Sequence, residues 1–249
     1  MNIFQDIVET NKNIIPKAFQ LAVKNWPIVF TGIIYSIISI LLFRIASLFW
    51  ILAGILLSLV VSALFSNYLY LIENIIRYGK ISFEDFKRGF TVYIWKIYGA
   101  MVVIWLVNYG ASLLLGSILR VKIGFISFWA LLQWIAFLLL NCLPEVIYQK
   151  HYAVGESFNY SFSFIKENWI DWFVPNIFLG LLLYIVMGRM LTYNVFLGVS
   201  FLHLSIRSII IYFAGQFLLS FMMVYRGLLF DILSSTTRRK RIFMRNVYK

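Results

Sequence analysis

The stretch that decides the fold is residues 26–72, WPIVFTGIIYSIISILLFRIASLFWILAGILLSLVVSALFSNYLYLI. It holds a single charged side chain, Arg44, and it is about twice as long as the roughly 20 apolar residues that cross the hydrocarbon core of a bilayer. Because Arg44 and Ser47 lie near its middle, the stretch predicts two transmembrane helices, over residues 27–47 and 51–72, joined by a tight turn.

Two further pairs of apolar segments follow the same pattern, over residues 97–118 with 124–144 and over residues 169–188 with 207–230. Short breaks near residues 120–122 and 187–189 separate the members of each pair. The chain is 62% hydrophobic and only 13% charged, so it needs lipid as its solvent. We therefore predict one all-α integral membrane domain over residues 1–249, with six transmembrane helices and no separate soluble catalytic domain.

The positive charge is unevenly distributed along the chain. The net charge is +12, and sixteen of the 22 Lys and Arg residues fall in the N-terminal segment, the second and fourth connections and the C-terminal tail. Short loops that are rich in Lys and Arg stay on the cytoplasmic side of a membrane. The pattern predicts a multi-pass protein of the cell membrane with both termini in the cytoplasm.

The basic residues also predict the partners. They lie in short loops and a tail, which favours anionic membrane lipids and argues against nucleic acid. The tail contributes a lipid-surface cluster of Arg238, Arg239, Lys240 and Arg241. Cations at the opposite ends of the spans are interpreted as contacts to lipid phosphate, with attraction of an anion toward a pore as the alternative: Arg44, Arg120, Lys122, Arg189 and Arg207.

An internal repeat is visible when the sequence is shifted by 72 residues. The shift aligns Glu73 with Glu145, Ile75 with Ile147, Glu84 with Glu156, Phe86 with Phe158 and Phe90 with Phe162. The predicted unit is a cytoplasmic amphipathic helix followed by a transmembrane hairpin. It occurs three times, over about residues 1–72, 73–145 and 146–235, with a basic tail over residues 236–249.

The amphipathic segments have a helical period. In the third unit Phe158, Phe162, Ile165 and Trp169 share one face, and the second unit has an equivalent apolar stripe. Ser82 with Asp85 predicts a capping box at the start of the second segment, and Pro16 suits the first turn of a helix that begins near residue 16. These helices are predicted to lie at the membrane surface; the alternative is that they extend the transmembrane helices into water.

Four charged residues form the first candidate site. Glu73 and Glu145 end the second and fourth spans at equivalent positions of the repeat, Arg226 lies about one turn inside the cytoplasmic end of the sixth, and Asp231 is a looser counterpart. The pattern predicts a charge cluster at the inner end of the bundle. It is interpreted either as a gate or a site for an ion or headgroup, or as a structural salt bridge.

Polar side chains inside the spans form the second candidate site. Unpaired polar groups in a membrane cost a few kcal/mol, so these side chains must bond to one another or line a wet cavity. The second span also has small residues at every fourth position, which indicates close helix packing or, alternatively, the lining of a substrate path: Gly54, Ser58, Ser62 and Ser66. The intramembrane amides are Asn108, Gln133, Asn141, Asn176 and Gln216.

Catalytic and cofactor motifs are missing from the sequence. His151 and His203 fall on opposite predicted sides of the membrane, and the single cysteine, Cys142, lies in an apolar run. No zinc-type Cys/His cluster, nucleophile elbow, phosphate loop or dinucleotide-binding motif occurs. We predict no catalytic residue, no metal and no cofactor, and a non-enzymatic role is favoured over an enzymatic one.

Three short motifs resemble a known family. They are LPEVI at residues 143–147, GESF at 155–158 and KENW at 166–169. They resemble the six-helix membrane family of Gram-positive bacteria that includes the membrane domain attached to some glycerophosphodiester phosphodiesterases. The resemblance implies the six-helix fold. It implies no catalytic residue, because the His-Arg-Gly motif of the phosphodiesterase domain is missing.

The sequence leads to three functional hypotheses. The first is a transport-related or lipid-interacting membrane protein, acting alone or as the membrane subunit of a larger assembly with a partner protein or with further copies of itself. The second is a scaffold or regulator that binds anionic lipids without transporting a substrate. The third is a lipid-modifying enzyme, for which Glu73, Glu145 and Asp231 are the available carboxylates.

Overall fold

The structure, a computed structural model, describes residues 3–46, 48, 52–119, 121–187 and 206–236. Within these residues six helices are long and apolar enough to cross a membrane, which confirms the predicted number. Their bounds are Trp26–Ile45, Ala53–Tyr78, Ile94–Gly116, Phe128–Gln149, Val154–Met187 and Ile206–Ser235. The class of protein that this fold defines is a multi-pass, all-helical membrane protein.

The described elements follow one another along the chain. The order is α1 (Ile3–Lys24), a 3₁₀ helix (Trp26–Phe30), α2 (Thr31–Ala46), α3 (Ala53–Tyr78), α4 (Phe83–Val92), α5 (Ile94–Leu119), β1 (Lys122–Ile123), β2 (Ile126–Ser127), α6 (Phe128–Leu139), α7 (Leu143–Gln149), α8 (Val154–Met187) and α9 (Ile206–Ser235).

Local sequence signals explain where several helices end and begin. α3 ends at Gly79, which adopts a left-handed conformation with φ 69° and donates its N–H to the carbonyl of Ile75. α4 begins with the predicted capping box, in which Ser82 accepts from the N–H of Asp85 and the Asp85 carboxylate accepts from the N–H of Ser82. The prediction for Pro16 is wrong, because α1 begins at Ile3 and Pro16 lies inside it.

The hairpin between α5 and α6 is closed by a short β ribbon. Lys122 pairs with Ser127 and Ile123 pairs with Ile126, and Gly124 provides the positive φ of 64° that the turn requires. The ribbon ends at Ser127, whose hydroxyl accepts from the N–H of Ala130 and caps α6.

A kink separates the third predicted amphipathic segment from its span. α8 runs for 34 residues, more than the roughly 20 that cross a hydrocarbon core of about 30 Å. Its backbone departs from helical geometry at Asn168, where φ is −122° and ψ is 17°. A similar geometry separates α4 from α5, since Tyr93 between them has φ −114° and ψ 4°.

The core of the bundle lies around α3 and α9. In α9, 56% of the most apolar window is buried, whereas in α5 the same fraction is 6%. The largest fully buried side chains are Trp172, Tyr35, Tyr148, Tyr225 and Phe230. The α5–α6 hairpin therefore presents most of its surface outward.

The predicted stripe of small residues on α3 packs against neighbouring helices along part of its length. Ser66 is buried and donates its hydroxyl to the carbonyl of Gly89 at 2.7 Å, and Ser62 is buried against Met101. A Cβ added at Gly54 would meet nothing within 4 Å among the described residues. Ser62 and Ser66, the two later residues of the stripe, therefore bring α5 and α4 close to α3.

Candidate functional site

A buried ion pair joins α7 to α9. Arg226 is 2% exposed and Glu145 is 0% exposed. The guanidinium donates from Nε to Glu145 Oε1 at 2.7 Å and from Nη2 to Glu145 Oε2 at 3.0 Å. This is the two-point geometry in which arginine binds a carboxylate most strongly.

A break in the helical backbone completes the environment of the arginine. The chain leaves helical geometry between α6 and α7, and Asn141 lies in that break. Arg226 Nη2 donates to the Asn141 carbonyl at 2.6 Å, and Nη1 donates to Asn141 Oδ1 at 3.1 Å. The break exposes a carbonyl that would be costly in a membrane, and the arginine satisfies it.

A tryptophan from α8 closes the same cluster. Trp172 is fully buried, donates its indole N–H to Asn141 Oδ1 at 3.0 Å and places its ring 4.9 Å from the Arg226 guanidinium carbon. We call Asn141, Glu145, Trp172 and Arg226 the arginine cluster. All three guanidinium nitrogens bond within this cluster. The cluster therefore holds α7, α8 and α9 together through hydrogen bonds and opposite charges.

Glu73 lies in a different environment. It is 5% exposed, accepts from the hydroxyl of Tyr93 and forms an ion pair with Arg77 at 3.0 Å. Burial, together with the hydrogen bond to the Glu73 carboxylate, raises the pKa of Tyr93. The Tyr93 hydroxyl therefore stays protonated and links the start of α5 to the end of α3.

Of the four residues predicted as a charge cluster, the structure brings Glu145 and Arg226 together. Glu73 bonds to Arg77 and Tyr93, and Asp231 is exposed on α9. The basic residues Arg238, Arg239, Lys240 and Arg241 lie outside the described residues, as do Arg120, Arg189 and His203.

Two of the five predicted amides bond to each other, and the other three lie elsewhere in the bundle. Gln133 donates to Asn108 Oδ1 at 2.7 Å between α6 and α5, and Asn141 belongs to the arginine cluster. Asn176 donates to the carbonyl of Trp172 at 2.7 Å. Gln216 is buried on α9 facing α2, where its side chain would lie 2.9 Å from a Cβ added at Gly32.

Sequence reasoning missed an open cleft near the start of α8, which polar and aromatic side chains line. Its volume is about 290 Å³, and it is lined by Tyr152, Glu156, Asn159, Tyr160 and Ser163. The signal that could have found it is the spacing of four residues that separates Tyr152, Glu156 and Tyr160 and also separates Asn159 and Ser163.

The connections next to this cleft lie on one side of the bundle. His151, which adopts a left-handed φ of 54°, places Nε2 3.5 Å from Nη2 of Arg77 at the end of α3. The α3–α4 and α7–α8 connections are therefore neighbours. Among the described residues no group of three or more His, Cys, Asp or Glu side chains could hold a metal ion.

Comparisons with protein-family models, with curated proteins and with solved structures give no match to this chain. The fold class therefore stands on the six apolar helices, and the function must be argued from the geometry of the sites.

Proposed function

We propose that the chain is a membrane-embedded subunit that associates with other transmembrane helices through its α5–α6 hairpin and contacts lipid headgroups at one end of the bundle. The observation that carries this proposal is the Asn108–Gln133 amide pair on the outward-facing hairpin. The pair favours an assembly, in which further copies of this chain are the simplest partner.

The amide pair supports association because its position is polar and outward-facing. Gln133 is exposed, and Asn108 is partly exposed about one helical turn from Trp105, which is 59% exposed. An amide has both donor and acceptor atoms, so two copies of this surface are complementary to each other. Amides that bond across helices stabilise association in membranes.

Asn108→Leu with Gln133→Leu is expected to weaken self-association roughly tenfold, because about 1–2 kcal/mol of interhelical hydrogen bonding is lost. The measurement is the monomer–oligomer equilibrium of the full chain in lipid bilayers, followed by energy transfer between labelled copies as the lipid dilution increases. The swap Asn108→Gln with Gln133→Asn is the matched control and is expected to retain association. An unchanged equilibrium in the leucine variant would refute assembly through this hairpin.

The proposal includes the orientation and the repeat predicted from the sequence. Ser66 donates to the carbonyl of Gly89 at 2.7 Å, and Cys142 donates to the carbonyl of Ser161 at 3.7 Å. The two acceptors are 72 residues apart, as the repeat predicts, whereas the two donors are 76 residues apart and so differ by about one helical turn. Both termini, with the basic tail and its attraction to anionic lipid, are assigned to the cytoplasm.

The orientation is tested with single cysteines in a Cys142→Ala background. A membrane-impermeant thiol reagent added to intact cells is expected to label Phe125→Cys, in the β ribbon, and to leave Ser235→Cys, at the end of α9, unlabelled. Labelling of Ser235→Cys alone would reverse the assignment.

The family resemblance to phosphodiesterase-attached membrane domains is part of the same proposal and adds no catalytic residue.

Movement of a small or amphiphilic substrate is a second candidate, favoured by two unpaired polar atoms in the bundle. Asn74 Nδ2 and Asn176 Oδ1 are buried and have no hydrogen-bond partner among the described residues. A water-filled path in another conformation would hydrate such atoms. Liposomes that contain the chain are expected, under this candidate, to release a fluorescent lipid or small solute faster than empty liposomes do, and equal rates would exclude it for that substrate.

A further inference from the structure

The cleft beside Tyr152 lies near the start of α8, in the part that precedes the kink at Asn168. The part after the kink, residues 169–187, is about 28 Å long, so it nearly crosses a hydrocarbon core of about 30 Å by itself. The first fourteen residues of α8, 154–167, include Glu156, Asn159, Ser163 and Lys166, whereas the part after the break at Asn168 is mainly apolar. The polar end of α8, with the cleft, therefore extends beyond the hydrocarbon into the headgroup region.

One wall of the cleft suits an ammonium group. The rings of Tyr152 and Tyr160 lie 5.4 Å apart, centroid to centroid, at an angle of 53°. Glu156 is exposed on the same cleft and uses one oxygen, Oε2, to accept from the N–H of Ala153 at 3.1 Å. Aromatic faces beside a carboxylate are the surroundings in which proteins bind organic ammonium ions.

The neighbouring surface suits a phosphate group. The ammonium nitrogen of Lys150 lies 5.7 Å from the centroid of Tyr160, so it stands at the edge of the cleft. A lysine beside a lipid surface attracts phosphate.

We propose that this cleft binds the zwitterionic headgroup of a membrane phospholipid, with the ammonium group at Tyr152 and Glu156 and the phosphate at Lys150. The inference deepens the lipid contact of the proposed function. Its test measures bound lipid and not oligomeric state, so either proposal can fail while the other stands.

The experiment is native mass spectrometry of the full chain in mild detergent, after incubation with phosphatidylethanolamine or with phosphatidylglycerol of the same acyl chains. We expect preferential retention of phosphatidylethanolamine. Glu156→Gln, which keeps an oxygen for the bond from Ala153, and Tyr152→Leu are each expected to weaken this retention roughly threefold to fivefold.

Glu84→Gln is the matched control, because Glu84 is the equivalent residue of the second unit and is 81% exposed on α4. It is expected to retain the lipid as the native chain does. Equal retention of the two lipids, or equal retention by the Glu156→Gln and Glu84→Gln variants, would overturn the proposal. Displacement of the lipid by an equimolar amount of soluble phosphoethanolamine would overturn the assignment to a membrane lipid.

Discussion

Arg226→Met is expected to lower the free energy of unfolding by about 3–5 kcal/mol, because it leaves the Glu145 carboxylate buried without its counter-ion. Glu145 is 0% exposed, so water cannot replace the guanidinium without opening the bundle. The variant also removes the donors that satisfy the Asn141 carbonyl in the break between α6 and α7. Glu145→Gln is expected to have a smaller effect of the same sign, since an amide still accepts from Arg226.

The measurement is the rate at which Cys142 reacts with a thiol reagent as the detergent-solubilised chain is heated, with helical circular dichroism as a second signal. Cys142 is the single cysteine of the sequence and is 0% exposed, so its reaction reports unfolding. The double variant with Glu145→Gln and Arg226→Met is expected to recover much of the lost stability, because both charges are gone.

Lys87→Gln with Glu84→Gln is the control for loss of an ion pair as such. Lys87 and Glu84 pair at 3.1 Å on the exposed face of α4, where a salt bridge contributes little. We expect no measurable change in the control. Equal effects of the buried and the surface variants would contradict a structural role for the arginine cluster.

Gly89→Ala is expected to lower the free energy of unfolding by about 1–3 kcal/mol, because α4 crosses α3 at this residue without room for a side chain. A Cβ there would lie 2.9 Å from Nδ2 of Asn67, 3.1 Å from its Cα and 3.2 Å from its carbonyl oxygen. The backbone of α3 cannot move aside as a flexible side chain could. The bond from Ser66 to the Gly89 carbonyl would also be strained.

The matched control is Gly110→Ala in α5, where an added Cβ meets nothing within 4 Å among the described residues. Alanine favours a helix over glycine by about 1 kcal/mol, so this variant is expected to be neutral or slightly stabilising. Both variants are compared by thermal unfolding in the same detergent. A Gly89→Ala variant as stable as Gly110→Ala would show that α4 is not held against α3 in this way.

Among the polar residues, the sequence predicted which side chains need partners but not which partners they find. Arg226 was expected near both Glu73 and Glu145, and it pairs with Glu145, whereas Glu73 bonds to Tyr93 and Arg77. The difference depends on how each helix is rotated about its axis. It also depends on the break at residues 140–142, which frees a carbonyl for the arginine.

The cleft near the start of α8 escaped sequence reasoning for a related reason. Its five lining residues are ordinary polar and aromatic side chains at the polar end of an amphipathic helix. Only the position of the α7–α8 connection, in which His151 takes a left-handed conformation, places Tyr152 beside Tyr160.

The sequence by itself determined that the chain lies in a lipid bilayer, how many spans it has and how α4 is capped. Hydropathy over about 20 residues and the chemistry of a helix start are local properties of the sequence. The tertiary structure alone decided the partner of Arg226 and the outward position of the α5–α6 hairpin. These depend on the packing of helices that are far apart in the chain, and similar apolar segments in lipid are compatible with many such arrangements.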